Sequence, residues 1–258
     1  MWNTIILDPM INSLLWIYQI LGSNFGLAII LFTILIRLVT FPFTYQQQKS
    51  TQKMQEFQKS KQYLDMQKKY KDDKQKQQEE QLKLYRQAGI NPLSGCLPTL
   101  IQLPVIFGLY GALIRALAAT PMPLFELSKH IYPFTKSVLI PLNSHFLWMN
   151  LAQPERLYLP FLPNIGIPIL TILVVISTWL QTKMTTPPSA DAQSGQMSSI
   201  MAIYMPLLLG YFSYTFASGL ALYFVVSNVL AVLQFAAMGK VDWRKIFTFS
   251  LGQPRKRK

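Results

Sequence analysis

An otherwise apolar run of 19 residues, 25–43, contains one arginine, Arg37, well inside it. A helix of that length is about long enough to cross the hydrocarbon core of a bilayer. Because an arginine side chain keeps its proton in proteins, the run carries a full positive charge at membrane depth. Placing that charge at the centre of a helix costs about 2.5–3.5 kcal/mol on insertion scales. We therefore expect Arg37 to lie in a wet place walled by protein, and to mark a functional site.

Further apolar stretches indicate a polytopic membrane protein. Of the 258 residues, 51% are hydrophobic, and they cluster in long runs that soluble domains lack. We predict an all-α fold with five transmembrane helices, an external interfacial N-terminal helix and a cytoplasmic helical hairpin. The predicted segments are an interfacial amphipathic helix (1–24), a first span (25–44), a cytoplasmic hairpin and entry loop (45–96), a second span (97–118), an external loop (119–162), a third span (163–182), a cytoplasmic loop (183–197), a fourth span (198–216), a fifth span (219–238) and a basic cytoplasmic tail (239–258).

The N-terminal segment is apolar but differs from the spans. Asp8, Asn12 and Gln19 share one helical face there, which favours a helix lying in the membrane interface over a sixth span.

Charge predicts the orientation of the chain. Residues 44–96 hold 11 Lys or Arg and residues 239–258 hold seven, whereas residues 1–24 hold none. The positive-inside rule then places the N-terminus outside and the C-terminus inside. Opposite locations of the two ends require an odd number of spans, in agreement with five.

A polar stripe runs along the first span, because Thr33, Arg37, Thr40 and Thr44 lie on one helical face. Other polar residues occur within or near the remaining spans: Gln102, Gln181, Ser227, Asn228 and Gln234. Together these side chains would line a water-filled groove, although each alone is more often an interhelical hydrogen bond. The alternative for Arg37 is a structural arginine bonded to backbone carbonyls.

Two charged regions lie outside the spans. In residues 46–87, which are rich in Lys, Gln and Glu, a thin apolar stripe that includes Met54, Phe57 and Leu64 predicts a weakly packed helical hairpin rather than a solvated linker. The C-terminal cluster Arg255, Lys256, Arg257 and Lys258 suits contact with anionic lipid and contact with RNA phosphate equally well.

Several kinds of chemistry are not indicated. The sequence has no phosphate-binding loop of the ATPase type, and His130 and His145 lie outside the spans without the spacing of metal ligands. We therefore predict neither an enzyme nor a cofactor or metal site.

Four blocks in fixed order carry a family resemblance: NFGLAIILFTILIRLVTFPF, GINPLSGCLPTLIQLPVIFGLYGAL, FLWMNL and PLLLGYFSYTFASGLALYFVVSNVLAVLQ. In order and spacing they resemble the YidC insertases, relatives of the Oxa and Alb proteins, in a minimal five-span form. The resemblance implies a membrane protein insertase or chaperone in the cytoplasmic membrane of a bacterium, which is favoured over a thylakoid membrane. Such proteins capture hydrophilic tails of nascent membrane proteins in a polar groove open to the cytoplasm, and release the apolar segments into lipid.

The resemblance also implies residue roles. The substrate-binding groove would contain Arg37, Thr33, Thr40, Gln102, Tyr223, Phe224, Ser227 and Asn228. Phe224 stands where many relatives have tyrosine, so its hydroxyl is missing here. The hairpin residues Met54, Phe57 and Leu64 would recruit substrate, and the basic tail would contact the ribosome or lipid. Expected partners are nascent membrane proteins, the Sec translocon, the ribosome and membrane lipids, but not DNA.

Two other classes of function remain open at this stage. An anion transporter or channel would use Arg37 as its binding charge, although the sequence shows no convincing internal repeat. A membrane scaffold would have no translocation role and would tolerate replacement of Arg37 by leucine.

Overall fold

The computed structural model describes residues 2–70, 73–90, 97–117, 121–135, 142–159, 162–185 and 192–237, and these are mostly helical. The helices are a π-helical turn (Asn3–Leu7), α1 (Asp8–Ile20), α2 (Phe25–Gln58), α3 (Lys61–Lys69), α4 (Lys74–Gln87), α5 (Leu97–Ala116), α6 (Pro121–His130), a 3-10 turn (Pro133–Thr135), α7 (Ile169–Thr185), α8 (Ala192–Thr215) and α9 (Ser218–Ala237). Four short strands are β1 (His145–Phe146), β2 (Met149–Asn150), β3 (Leu157–Leu159) and β4 (Leu162–Ile167).

Helix α2 joins the first apolar run to the hairpin without a break. It begins after Asn24, whose side-chain oxygen accepts a hydrogen bond from the Leu27 amide at 3.1 Å. It then continues past Pro42 and past residue 44, where the first span was expected to end, as far as Gln58. Residues 46–58 contain no Gly or Pro and many good helix formers, so nothing in them stops the helix. One arm of the hairpin is therefore an extension of the first apolar helix.

The hairpin is completed by α3 and α4, and it has a core of its own. Asp73 caps α4, since its carboxylate accepts a hydrogen bond from the Lys76 amide. Tyr63, Met66 and Tyr85 are buried together and are separate from the main apolar core, which lies among α1, α2, α5 and α9.

The external loop expected at 119–162 contains regular structure. Strands β1 and β2 pair antiparallel, as do β3 and β4. Strand β1 packs closely against Gly26 at the start of α2. Any Cβ at that position would overlap the ring of Phe146. Helix α7 begins at Ile169, later than the expected start of the third span at 163, because Leu162–Ile167 pairs as a strand.

The polar face of α1 contacts protein. Asn12 is 2% exposed, donates to the carbonyl of His130 at 2.7 Å and accepts from the Tyr132 amide at 2.7 Å. Asp8 Oδ1 lies 2.6 Å from His130 Nδ1. These bonds attach α1 to the end of α6 and to the segment that follows it.

Within the described residues, α2 and α9 are long and apolar enough to cross a membrane. Two shorter apolar helical segments, Gln102–Ala116 and Ile169–Met184, lie in α5 and α7.

Candidate functional site

Arg37 contacts helix α9. Its Nη2 atom donates to the backbone oxygen of Ser227 at 2.8 Å and to the Ser227 hydroxyl at 2.6 Å. Among the described residues, no carboxylate lies within salt-bridge distance of Arg37. A guanidinium group has five N–H donors, and both of these bonds use a single nitrogen. The positive charge of Arg37 is thus held in place by neutral groups, with donors left over for water or a ligand.

A second hydrogen bond brings α5 to the same place. Gln102 on α5 donates to the hydroxyl of Tyr223, which lies one turn before Ser227 on α9. Tyr223 is buried, and its spacing of four residues from Ser227 puts both side chains on the same face of α9. Four side chains from three helices therefore form one polar group within an apolar core, which we call the arginine cluster: Arg37, Gln102, Tyr223 and Ser227.

Three other expected groove residues lie near the cluster but bind differently. Thr33 is buried and donates to the Ile29 carbonyl at 2.6 Å, while Thr40 is partly exposed and donates to the Ile36 carbonyl at 2.8 Å. Both hydroxyls are thus satisfied within α2. Phe224 is buried in the main core beside Tyr223, with ring centroids 5.8 Å apart, and an apolar ring suits that environment.

Asn228 lies apart from the arginine cluster. Its Nδ2 atom donates to Ser177 at 3.1 Å and to Thr178 at 2.8 Å, both on α7. Neighbouring residues in a helix point about 100° apart, so Ser227 and Asn228 contact different helices. Sequence reasoning did not single out Ser177 or Thr178, although a polar pair within an apolar helix was a usable signal.

A further hydrogen bond joins α2 and α9. Gln234 Nε2 on α9 donates to the Thr44 hydroxyl on α2 at 2.9 Å. Both residues were among the polar positions expected in the spans, and this bond shows that the polar stripe of α2 faces α9 from Arg37 to Thr44.

The residues expected to recruit substrate lie partly inside the hairpin. Met54 and Phe57 pack against the hairpin core, and the Phe57 ring is 5.9 Å from the rings of both Tyr63 and Tyr85. Leu64 is half-buried. Tyr63, which is 1% exposed, was missed because the apolar stripe was too sparse to show its register.

Two further sequence predictions concern the basic C-terminal cluster and metal binding. Arg255, Lys256, Arg257 and Lys258 lie outside the described residues. In the part of the chain that is described, no three His, Cys, Asp or Glu side chains come together in a way that would hold a metal ion.

The architecture is that of a helical membrane protein with a charged polar cluster in its core. A family model described as "60Kd inner membrane protein" matches residues 16–244, which is most of the chain. The chain therefore belongs to that family.

Several curated relatives are named membrane protein insertases. "Membrane protein insertase YidC 2" of Bacillus anthracis is 32% identical over 90% of this chain and 79% of its own length. "Membrane protein insertase YidC" of Oceanobacillus iheyensis is 34% identical over 93% of this chain and 84% of its own length. The namesake from Syntrophobacter fumaroxidans is 36% identical over 90% of this chain, which spans 37% of that longer protein. These names are those of insertases and not of enzymes.

A solved structure supports the same assignment. The crystal structure titled "Active YidC insertase crystal structure with the first transmembrane domain resolved" superimposes with a TM-score of 0.56 and 29% identity. The match covers 91% of this chain and 46% of that chain, and it confirms the predicted resemblance at the level of fold.

Proposed function

We propose that this protein inserts nascent membrane proteins by capturing a hydrophilic tail at the arginine cluster and releasing the adjoining apolar segment into lipid. The observation that carries the proposal is the state of Arg37, which is hydrogen-bonded by Ser227 but paired with no acid among the described residues. A charge held by neutral groups keeps its attraction for an incoming carboxylate. The names of the curated relatives support the same function.

The proposed topology has five spans, with the N-terminus outside and the hairpin and C-terminal tail inside. The long apolar helices α2 and α9 and the apolar segments of α5 and α7 support four of the five spans. The remaining span, which is the fourth in chain order, is assigned to α8. In this orientation the arginine cluster faces a groove that water enters from the cytoplasm. The partners we propose are nascent membrane proteins, with the Sec translocon and the ribosome acting alongside in the bacterial cytoplasmic membrane.

Electrostatics then favours capture without a motor. Opposite charges 4 Å apart attract by about 1 kcal/mol in water and by about 4 kcal/mol at the effective dielectric constant near a protein surface. An acidic group in the client tail can thus replace the Ser227 hydroxyl as a hydrogen-bond partner of Arg37. Partition of the client's apolar segment into lipid supplies the driving force that completes insertion.

The test compares clients with acidic and neutral N-terminal tails in vesicles that contain the full chain. Arg37→Ala is expected to lower insertion of the acidic client about tenfold, the effect of losing about 1.4 kcal/mol. Arg37→Lys should retain most activity, because a point charge suffices for a transient ion pair. The matched control is Arg115→Ala, which removes an arginine whose hydrogen bond among the described residues goes to the Gly111 carbonyl of its own helix.

Equal insertion of the acidic client by wild type, Arg37→Ala and Arg37→Glu would remove Arg37 from the mechanism. Crosslinking from position 102 to a stalled nascent chain gives a second readout, and the proposal expects the client tail there.

A further inference from the structure

A cleft lies away from the arginine cluster, between α2 and the end of α9. It has a volume of about 570 Å³, with Phe41, Tyr45, Lys49 and Lys53 on one wall and Gln234 on the other. The four α2 residues recur every fourth position and so share one helical face. The hydrogen bond from Gln234 to Thr44 holds the two walls together beside it.

The chemistry of the cleft changes along its length. At one end the rings of Phe41 and Tyr45 stack with centroids 6.2 Å apart, and both are more than 40% exposed. At the other end lie Lys49 and Lys53, with one carboxylate, Glu56, beyond them. Two lysines and one carboxylate give the basic end a net positive charge. Among the described residues, no salt bridge is formed with either lysine.

This change in chemistry matches the expected position of the membrane boundary. The apolar run of α2 ends at Phe43, and tyrosine rings favour the headgroup level. At 1.5 Å per residue, Lys49 lies roughly 6 Å and Lys53 roughly 12 Å beyond Tyr45. The rings thus meet the upper acyl chains while the ammonium groups reach the phosphate layer, as lysines near helix ends do.

We propose that the cleft binds one anionic glycerophospholipid of the inner leaflet, with its phosphate between Lys49 and Lys53 and its glycerol and upper acyl chains against Phe41 and Tyr45. Basic pockets between membrane helices on the cytoplasmic side suit such headgroups. An acidic peptide would pair with the lysines but would offer no apolar chain to the two exposed rings. The inference rests on the membrane orientation given under the proposed function, and not on the role of Arg37.

The test uses the purified full chain in phosphatidylcholine nanodiscs that contain a trace of phosphatidylglycerol bearing a photoreactive group in its upper acyl chain. Labelled peptides are mapped and quantified by mass spectrometry. Wild type should be labelled between residues 41 and 53. Lys49→Gln with Lys53→Gln should reduce the apparent affinity roughly 30-fold, since each lysine near an anionic surface contributes about fivefold. Lys61→Gln with Lys68→Gln removes the same charge from exposed positions on α3 and should leave labelling unchanged.

Competition separates the possible occupants. Unlabelled phosphatidylglycerol should abolish the labelling, whereas phosphatidylcholine and millimolar inorganic phosphate should not. Equal labelling of the cleft variant and the α3 control, or equal competition by phosphatidylcholine, would overturn the proposal. Competition by a soluble acidic peptide at lower concentration than by the lipid would also overturn it and would assign the cleft to polypeptide. No client is present in these assays, so their outcome is independent of the Arg37 insertion test.

Discussion

At the scale of single residues, Arg37 shows how a charge is kept in an apolar core without being neutralised. Ser227 offers both its carbonyl and its hydroxyl, so part of the lost hydration is replaced. A buried acid in the same place would form a stronger pair and would compete with any acidic client. The neutral partner therefore suits a site that must bind and release.

Asn228 has a structural role in this account, unlike its neighbour Ser227. Asn228→Ala removes two hydrogen bonds to α7 and is expected to lower the free energy of unfolding by about 1 kcal/mol, since such bonds average about 0.6 kcal/mol in membranes. The measurement is the thermal unfolding midpoint in detergent, alongside insertion of an acidic client by protein that remains folded. A variant of unchanged stability and greatly reduced insertion would show instead that Asn228 belongs to the client site.

At the scale of elements, α2 is the part that connects the two halves of the protein. One uninterrupted helix carries Arg37, the basic cleft and the first arm of the hairpin. Under the proposed function, a client bound at the hairpin would therefore lie at a fixed distance from the arginine cluster.

The start of α4 should depend on pH. The hydrogen bond from the Lys76 amide, followed by smaller effects of the Lys76 side chain, lowers the pKa of Asp73 from its ordinary value of 3.8. Its capping contribution is therefore complete above pH 3.8 and is lost as the pH falls through the lower pKa of the folded state. Amide hydrogen exchange at Lys76, corrected for intrinsic rates, should lose protection below that pH in wild type. Asp73→Asn keeps the cap without a titrating group, so the same pH profile in that variant would contradict the assignment.

At the scale of the whole molecule, the hairpin and the membrane core are separate units of packing. The hairpin core around Tyr63 and Tyr85 shares no buried residue with the main core. The two arms of the hairpin are close to each other, since Gln58 Nε2 on α2 lies 2.9 Å from the Tyr85 hydroxyl on α4. A short linker can therefore replace the part of the hairpin beyond α2.

Removing residues 61–87 and closing the gap with a Gly-Ser linker should leave the membrane helices folded and impair insertion. The thermal midpoint of the remaining protein and its client insertion are measured together, and Leu82→Ser, at an exposed position, is the matched surface change. A deletion that unfolds the membrane helices would make the hairpin a structural part of the core.

The helices could be predicted from the sequence because long apolar runs and charge asymmetry are properties of the chain alone. The pattern of polar residues placed Arg37 with threonines on one face, but periodicity does not say which face of another helix meets them. Ser227 and Asn228 are adjacent in sequence and were assigned to one groove, yet one contacts α2 and the other α7. The two strand pairs were missed because strands as short as His145–Phe146 show no recognisable alternation.

Under the proposed function, water reaches the arginine cluster from the cytoplasm, and labelling of introduced thiols measures this. After Cys96, the single cysteine, is replaced by alanine, new cysteines are placed at Thr40, on the polar face of α2, and at Val39, which is 79% exposed and points about 100° away from Thr40 around the helix. Maleimide reacts with the thiolate, which forms in water and not in hydrocarbon. We expect rapid labelling of Thr40→Cys from the cytoplasmic side and almost none of Val39→Cys at nearly the same depth. Equal resistance of both cysteines to labelling would show a dry, sealed site and would contradict the account.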